Sequence, residues 1–210
     1  MRVLACVALS LGLLAACSDG GREKKAAPVP STTTTTAPPE FKLVVGSVDV
    51  QTMTPGADKL PDDVRAQVTA TLSTYLAQAV VAPLQTGVAA VGLDAVFTPV
   101  ALARLAAGTP DRAALVEEPP AAAGTVAPDK EDVSLTVLIG QAGETAVVSA
   151  TLDLAVVLTT STGRIRIGRT GEVLLVPMPG GWRIDGYDVA AKRDTLPPPP
   201  APTTTTGKKT

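Results

Sequence analysis

The residue types that could do chemistry are few in this chain of 210 residues. It contains no histidine, and its only cysteines are Cys6 and Cys17. Without imidazole there can be no Ser-His-Asp triad, no histidine acid or base and no zinc site of the usual type. We also find no glycine-rich phosphate loop, no closely spaced cysteine pair and no carboxylate cluster with metal-ligand spacing. We therefore expect no catalytic residue, no metal and no cofactor.

Composition argues against a nucleic-acid partner. Lys and Arg number 18 against 20 for Asp and Glu, which gives a formal net charge of -2. A chain that binds nucleic acid needs a basic excess to neutralise phosphates. Aromatic residues make up only 2% of the chain, too few for a surface on which bases stack.

The first residues predict a cleaved leader. Arg2 is followed by an apolar run over residues 3–16, interrupted only by Ser10 and Gly12. As a helix this run would span about 21 Å, which is short against a hydrocarbon core of about 30 Å. A basic start, a short apolar core and small residues at the end are typical of a signal peptide, which we assign to residues 1–16.

The leader ends in Leu14-Ala15-Ala16-Cys17, a sequence that resembles the lipobox of bacterial lipoproteins. The resemblance implies that Cys17 becomes the first mature residue and carries lipid, such as palmitate, on its sulfur. The protein would then be anchored in the cell membrane on its extracytoplasmic face. Two acyl chains anchor stably where one binds only reversibly, because each buried CH₂ contributes about 0.8 kcal/mol. The alternative is an ordinary secretory leader followed by an incidental cysteine.

Two segments predict disorder. Residues 17–40 contain five consecutive threonines among prolines and charges, and residues 195–210 contain four consecutive prolines followed by threonines. Such segments cannot bury enough apolar surface to offset chain entropy, so we expect a tether and a tail. Either tract could carry O-linked sugars or serve as a bare spacer. Residues 41–194 remain as one domain.

The domain begins with a predicted strand over residues 41–50, in which Gly46 marks a bulge. A helix is predicted over residues 61–81, ended by Pro83. Thr98 and Thr109, each followed by proline, open two short helices as N-caps. Residues 119–132 are rich in Ala, Pro and Gly and predict a mobile connection.

From Val133 onward the apolar residues alternate with a period of two, through runs separated by short glycine-containing turns. Consecutive hairpins of this kind predict an antiparallel sheet. One strand, several helices and then a run of strands predict an α+β domain with the helices on one face of the sheet.

The element order and the ending Gly-Gly-Trp-Arg-Ile-Asp-Gly-Tyr-Asp-Val, residues 180–189, resemble the nuclear-transport-factor-two-like (cystatin-like) superfamily. The resemblance implies a curved antiparallel sheet that wraps a long first helix into a cone. The strand ahead of the helix departs from the pattern of many members. Because members include isomerases, hydrolases, dehydratases and non-enzymes, the fold alone implies no activity. The overall composition, rich in Ala, Val, Thr and Pro, resembles that of actinobacterial proteins.

Two sets of residues are candidate binding sites. Arg164, Arg166 and Arg183 are out of phase with the apolar positions of their strands, so they predict either a solvated outer face or an arginine patch for an acidic partner. Tyr75, Trp182 and Tyr187 are the other set, and they either line a pocket at the cone mouth or close the core.

Three functions remain open. The first is a non-catalytic, lipid-anchored envelope protein whose domain meets an unknown envelope protein or an anionic wall polymer. The alternative is a carrier of a small apolar ligand or lipid in the cone pocket. The third is an isomerase or dehydratase, which needs a carboxylate aimed inward. Asp153 alternates with leucines and is expected to point outward. A structure with Asp153 or Asp188 buried in a pocket beside Tyr75 would support the enzyme hypothesis.

Overall fold

The computed structural model describes residues 41–52, 56 and 58–198. The leader, the tether and all but the start of the tail lie outside these residues. The described chain forms a mixed α+β domain. Its elements are β1 (Val44–Thr52), α1 (Asp62–Tyr75), a π-helix (Leu76–Val81), α2 (Ala82–Thr86), a 3-10 helix (Leu93–Ala95), α3 (Pro99–Arg104), α4 (Pro110–Leu115), β2 (Thr125–Ile139), β3 (Thr145–Thr160), β4 (Gly163–Met178) and β5 (Gly181–Leu196).

The five strands form one sheet in the order β1-β2-β3-β4-β5. Strands β2 to β5 pair antiparallel through consecutive hairpins, as the period-two pattern predicted. The prediction of a wholly antiparallel sheet is wrong, because β1 pairs parallel to β2. The helical region between them carries the chain back to the same end of the sheet, as a parallel pair requires. The register shift between Val45 and Val48 confirms the bulge at Gly46.

Strand β2 begins at Thr125, so a mobile connection over residues 119–132 is wrong for its second half. This part of β2 pairs with the C-terminal half of β3, with Val126 opposite Leu158 and Pro128 opposite Val156. The register shifts between Pro128 and Lys130, which accommodates a proline that cannot donate to the ladder. At the other end of the domain, β5 continues past Asp194 to Leu196.

The sequence predicted that Pro83 ends the helix, and this prediction is wrong. The helix continues through the π-helix and α2 to Thr86, and Gly87 ends it with φ 68° and an N–H that donates to the Pro83 carbonyl at 3.0 Å. Pro83 has no N–H for the carbonyl four residues earlier, that of Ala79. The backbone N–H of Glu117 donates to that carbonyl at 2.8 Å. A neighbouring segment therefore satisfies the group that the proline leaves free.

Both predicted threonine caps are confirmed. The hydroxyl of Thr98 accepts from the N–H of Ala101 at 3.2 Å, and that of Thr109 accepts from the N–H of Arg112 at 3.2 Å. Each cap is worth about 1 kcal/mol of helix stability. The caps fix where α3 and α4 begin, and so where the chain after α4 meets the helical segment.

The core lies between the helices and one face of the sheet. Across the strands, Val137 pairs with Val148, and Val148 pairs with Leu175, so one buried row runs through β2, β3 and β4. Asp153 lies on the opposite face with nearly half of its side chain exposed, as its alternation with leucines predicted. Helices α1, α3 and α4 contact β5, whereas α2 contacts β2.

Candidate functional site

The structure does not bring Tyr75, Trp182 and Tyr187 into one pocket. Tyr75, the last residue of α1, is fully buried. Its hydroxyl donates to the Leu115 carbonyl at 3.0 Å, and its ring packs edge-on against Phe97 with 6.1 Å between the ring centres. Trp182 is buried, and its carbonyl accepts from the Thr71 hydroxyl at 3.1 Å. These two aromatic residues fill the core, which is the second of the two readings the sequence left open.

Tyr187 lies at the margin of the core on β5. Its hydroxyl donates to Asp111 Oδ2 at 2.7 Å, and the guanidinium of Arg104 lies 4.6 Å from its ring centre. Burial, followed by the hydrogen bond to Asp111, raises the pKa of Tyr187 to about 12. Trp182 and Tyr187 line different shallow grooves, of about 350 and 230 Å³. The tyrosine closes one end of the core against α4 rather than opening a shared cavity.

The three arginines of the predicted patch are also separated. Arg164 and Arg166 lie together on the sheet face opposite the core, where Arg166 Nε donates to Asp129 Oδ2 at 2.6 Å. Arg183 pairs with Val176, which is twelve residues from Arg164 along β4. At about 3.3 Å per residue this separation is about 40 Å. A single patch of all three arginines is therefore not formed, and only Arg164 and Arg166 remain as neighbours.

A charged cluster inside the domain was not predicted. Glu117, 0% exposed, follows α4 and accepts hydrogen bonds on both carboxylate oxygens. Arg169 of β4, only 2% exposed, donates to Oε1, and Arg193 of β5 donates to Oε2. Arg169 also donates to the Gly168 carbonyl at 3.1 Å. We call these three residues the Glu117 cluster; it ties the chain after α4 to two strands and, through the Glu117 N–H, to the helix.

Strand phase places the two arginines on the inner face. Arg169 follows Ile165 and Ile167 at the same spacing of two residues, and it pairs with Leu154. The alternation along β4 could therefore have predicted that Arg169 faces inward. Arg193 pairs with Ile167 because the register between β4 and β5 shifts by one residue earlier in β5. At the shift, Ile184 faces Leu175 and Gly186 faces Leu174. Gly186 stands at that bulge, and a glycine inside a strand is the signal that could have predicted it. The bulge reverses the inward and outward positions beyond it.

Burial governs the electrostatics around the cluster. Burial raises the pKa of Tyr75 to about 12, against the nearby positive charge of Arg169, which lowers it. The Nε of Arg169 is buried without a hydrogen-bond partner. The cluster contains two guanidinium groups and one carboxylate, and more than half of the Arg193 side chain reaches solvent. One positive charge is therefore left over, at the edge where Arg193 is exposed.

The expectation that no carboxylate faces inward is corrected by Glu117. Neither of the two carboxylates weighed from the sequence takes this place, because Asp153 pairs with Lys130 on the outer face and Asp188 is exposed. Arginine N–H groups occupy both oxygens of Glu117, so the arrangement holds a loop and two strands in register. Within the described residues, no group of three or more His, Cys, Asp or Glu side chains could hold a metal ion.

Comparisons with known proteins give no relative. No protein-family model matches the chain, and neither a curated protein nor a solved structure is significantly similar to it. Across the part of the chain that the structure describes, no helix has the length and apolar character needed to cross a membrane.

Proposed function

We propose that this chain is a non-catalytic lipoprotein of the cell envelope that holds an α+β interaction domain outside the membrane. The observation that carries the proposal is Cys17, placed directly after Leu14-Ala15-Ala16 at the end of an apolar run. Acyl chains on this cysteine would supply the anchor. The tract of prolines and threonines that follows would extend the tether and keep the domain clear of the lipid.

Cys6 provides a matched control for the test of the anchor. With full-length protein expressed in a bacterial host and labelled with radioactive palmitate, we expect label in the wild type and in Cys6→Ala but none in Cys17→Ala. The wild type should fractionate with membranes and Cys17→Ala should not. Label that survives in Cys17→Ala, or an unlabelled wild type that is freely secreted, would contradict the proposal.

The non-catalytic part of the proposal rests on the Glu117 cluster. An interior acid or base must be able to reach a substrate proton. Glu117 has both oxygens occupied by arginine N–H groups and lies with 0% exposure. This arrangement favours a structural role for the interior carboxylate over an isomerase or dehydratase reaction.

We infer a nuclear-transport-factor-two-like cone for the domain. Its support is the element order together with the helical segment, in which α1 contacts β5 and α2 contacts β2, strands on different sides of the sheet. A sheet that curves around this segment would bring both strands to it. An experimental structure tests the inference; a flat sheet with the helices on one half only would contradict it.

The outer face of the sheet is the proposed partner surface, with Arg164 and Arg166 as its cationic end. Two guanidinium groups two residues apart on one strand lie on the same side, and they suit an acidic envelope protein or an anionic wall polymer. With polyglutamate as the probe at low salt, we expect Arg164→Glu/Arg166→Glu to weaken binding at least tenfold. Arg183→Glu, the matched control, should leave binding unchanged; an equal loss in both variants would contradict this surface.

A further inference from the structure

A groove of about 410 Å³ lies on the helical side of the domain, away from the aromatic residues of the core. One wall is formed by Gln78, Ala82 and Thr86, which recur every four residues along the π-helix and α2. The other wall is the loop over residues 88–92. The volume of the groove falls in the range of small-molecule sites, about 300–1,000 Å³.

The loop is fixed at both ends, so the groove is built into the fold. Gly87 and Gly92 have φ values of 68° and 71°, a conformation that favours glycine. The Gly87 N–H donates to the Pro83 carbonyl at 3.0 Å, the Val88 N–H donates to the Thr86 hydroxyl at 3.2 Å, and the Gly92 carbonyl accepts from the Ala95 N–H at 3.0 Å. These bonds hold the loop beside the helix at a fixed separation.

The surface of the groove is apolar and uncharged. Its loop wall is Val88, Ala89, Ala90 and Val91, and the two valines are 62% and 75% exposed. Two valines this exposed on one short loop leave apolar surface that an apolar ligand would cover. No charged side chain lines the groove. These walls therefore favour a neutral aliphatic body over a charged one.

One polar atom of a residue that lines the groove lacks a partner. Gln78 Oε1 is buried and has no hydrogen bond. The loop comes close to this amide because Gly92 has no side chain; a Cβ there would stand 3.3 Å from Oε1. A buried carbonyl oxygen without a donor is costly, and a bound N–H or O–H group would satisfy it.

We propose that this groove binds a neutral aliphatic chain that carries one hydrogen-bond donor, an alcohol or an amide, with the donor on Gln78 Oε1 after the side-chain amide turns towards the groove about its last torsion. The site differs from the cone pocket considered from the sequence, because none of Tyr75, Trp182 and Tyr187 lines it. The ligand is a small molecule bound on the helical side, so the site functions whether or not Cys17 carries lipid.

The test compares probes with alkyl chains of nearly equal length and different heads. Octan-1-ol and octanamide can donate to Gln78, whereas 1-methoxyoctane can only accept. Titration of the full chain, followed by the NMR shifts of the Gly87 and Gly92 amides, should show the two donors binding about tenfold more tightly than the ether, the factor of a typical net hydrogen bond. Comparison of octanol with octanamide then identifies the preferred head.

Three variants keep the proposal falsifiable. Gln78→Met should abolish the preference for donors, and Ala82→Phe should fill the groove and remove binding of all three probes. Gln67→Met replaces an exposed glutamine of α1 that lines a different groove, so it should change nothing. Equal affinity for the ether and the donors, shifts elsewhere in the domain, or no binding up to the solubility limit would each overturn the proposal.

Discussion

Charges are paired on both sides of the sheet, and the two sides differ in what the pairs do. On the outer face, Lys130 pairs with Asp153 and Arg166 pairs with Asp129, with a third or more of the side chain exposed in most of these residues. Inside, Glu117 and Arg169 are almost fully buried. Water competes for the outer groups, whereas the inner groups depend on each other.

The difference shows that burial, rather than the number of ion pairs, decides how much the fold relies on a charge. The buried Glu117 carboxylate links the chain after α4 to both β4 and β5 on the inner face. The hydrogen bond that Lys130 donates to Asp153 raises the pKa of Lys130, but this amine stays in contact with solvent.

The largest effect is expected for Glu117→Ala. The change leaves the Arg169 guanidinium buried and unpaired, so we expect the free energy of unfolding to fall by about 3–5 kcal/mol. Urea unfolding followed by circular dichroism measures it. Glu118→Gln is the matched control, because Glu118 is the adjacent exposed carboxylate, paired with Arg112 at 3.0 Å. A loss for Glu117→Ala no larger than that of the control would contradict a structural role for the cluster.

The second effect concerns alkaline pH and Tyr75. Its folded pKa of about 12 lies above the unfolded value of 10.0, so above pH 10 the unfolded chain loses the proton first. Stability from this group is present below pH 10 and is lost as the pH rises towards 12, by about 3 kcal/mol at most. Urea midpoints across this range should fall more steeply in the wild type than in Tyr75→Phe. Parallel curves for the two proteins would contradict the shift.

The third effect is expected for Arg193→Ala, which removes the donor to Glu117 Oε2 but leaves Arg169 on Oε1. Because the Arg193 side chain is more than half exposed, we expect the unfolding free energy to fall by about 1.5 kcal/mol, the lower end for a hydrogen bond to a charged group. Lys192→Ala, one residue away and solvent-exposed, is the control. A loss as large as that of Glu117→Ala would show that Arg169 alone does not hold the carboxylate.

The smallest effect is expected on the outer face. Arg166→Gln breaks the ion pair with Asp129, and we expect a change of about 0–1 kcal/mol that disappears in 1 M salt. Thermal unfolding at low and high salt measures it. A loss of several kcal/mol that persists in salt would show that the outer pairs are as necessary as the Glu117 cluster, and the comparison would fail.

Much of the fold was predictable because its signals are local. Alternation in β3 and β4, the threonine–proline caps at Thr98 and Thr109, and the bulge at Gly46 each depend on a few adjacent residues. The errors arose where a distant segment decides the structure. Pro83 remains inside the helix because the Glu117 N–H bonds to Ala79, and β2 begins early because β3 offers a pairing partner to residues 125–128.

The candidate sites were less predictable than the fold. Arg169 follows from the phase of β4, but Glu117 lies in an irregular segment whose burial no periodicity indicates. The inward position of Arg193 depends on a one-residue shift in β5. The orphaned oxygen of Gln78 arises only where the loop at Gly92 meets the helix.

Residue type and near-neighbour spacing were enough to predict the α+β class, the hairpins, the helix starts and the absence of histidine chemistry. Contacts between distant segments, in contrast, determine that β1 runs parallel to β2, that the three candidate aromatic residues do not share a pocket, and that Glu117 joins Arg169 and Arg193. The physical reason is that a buried charge or a bulged register is stabilised by groups distant in sequence, and only the packed chain brings those groups within bonding distance.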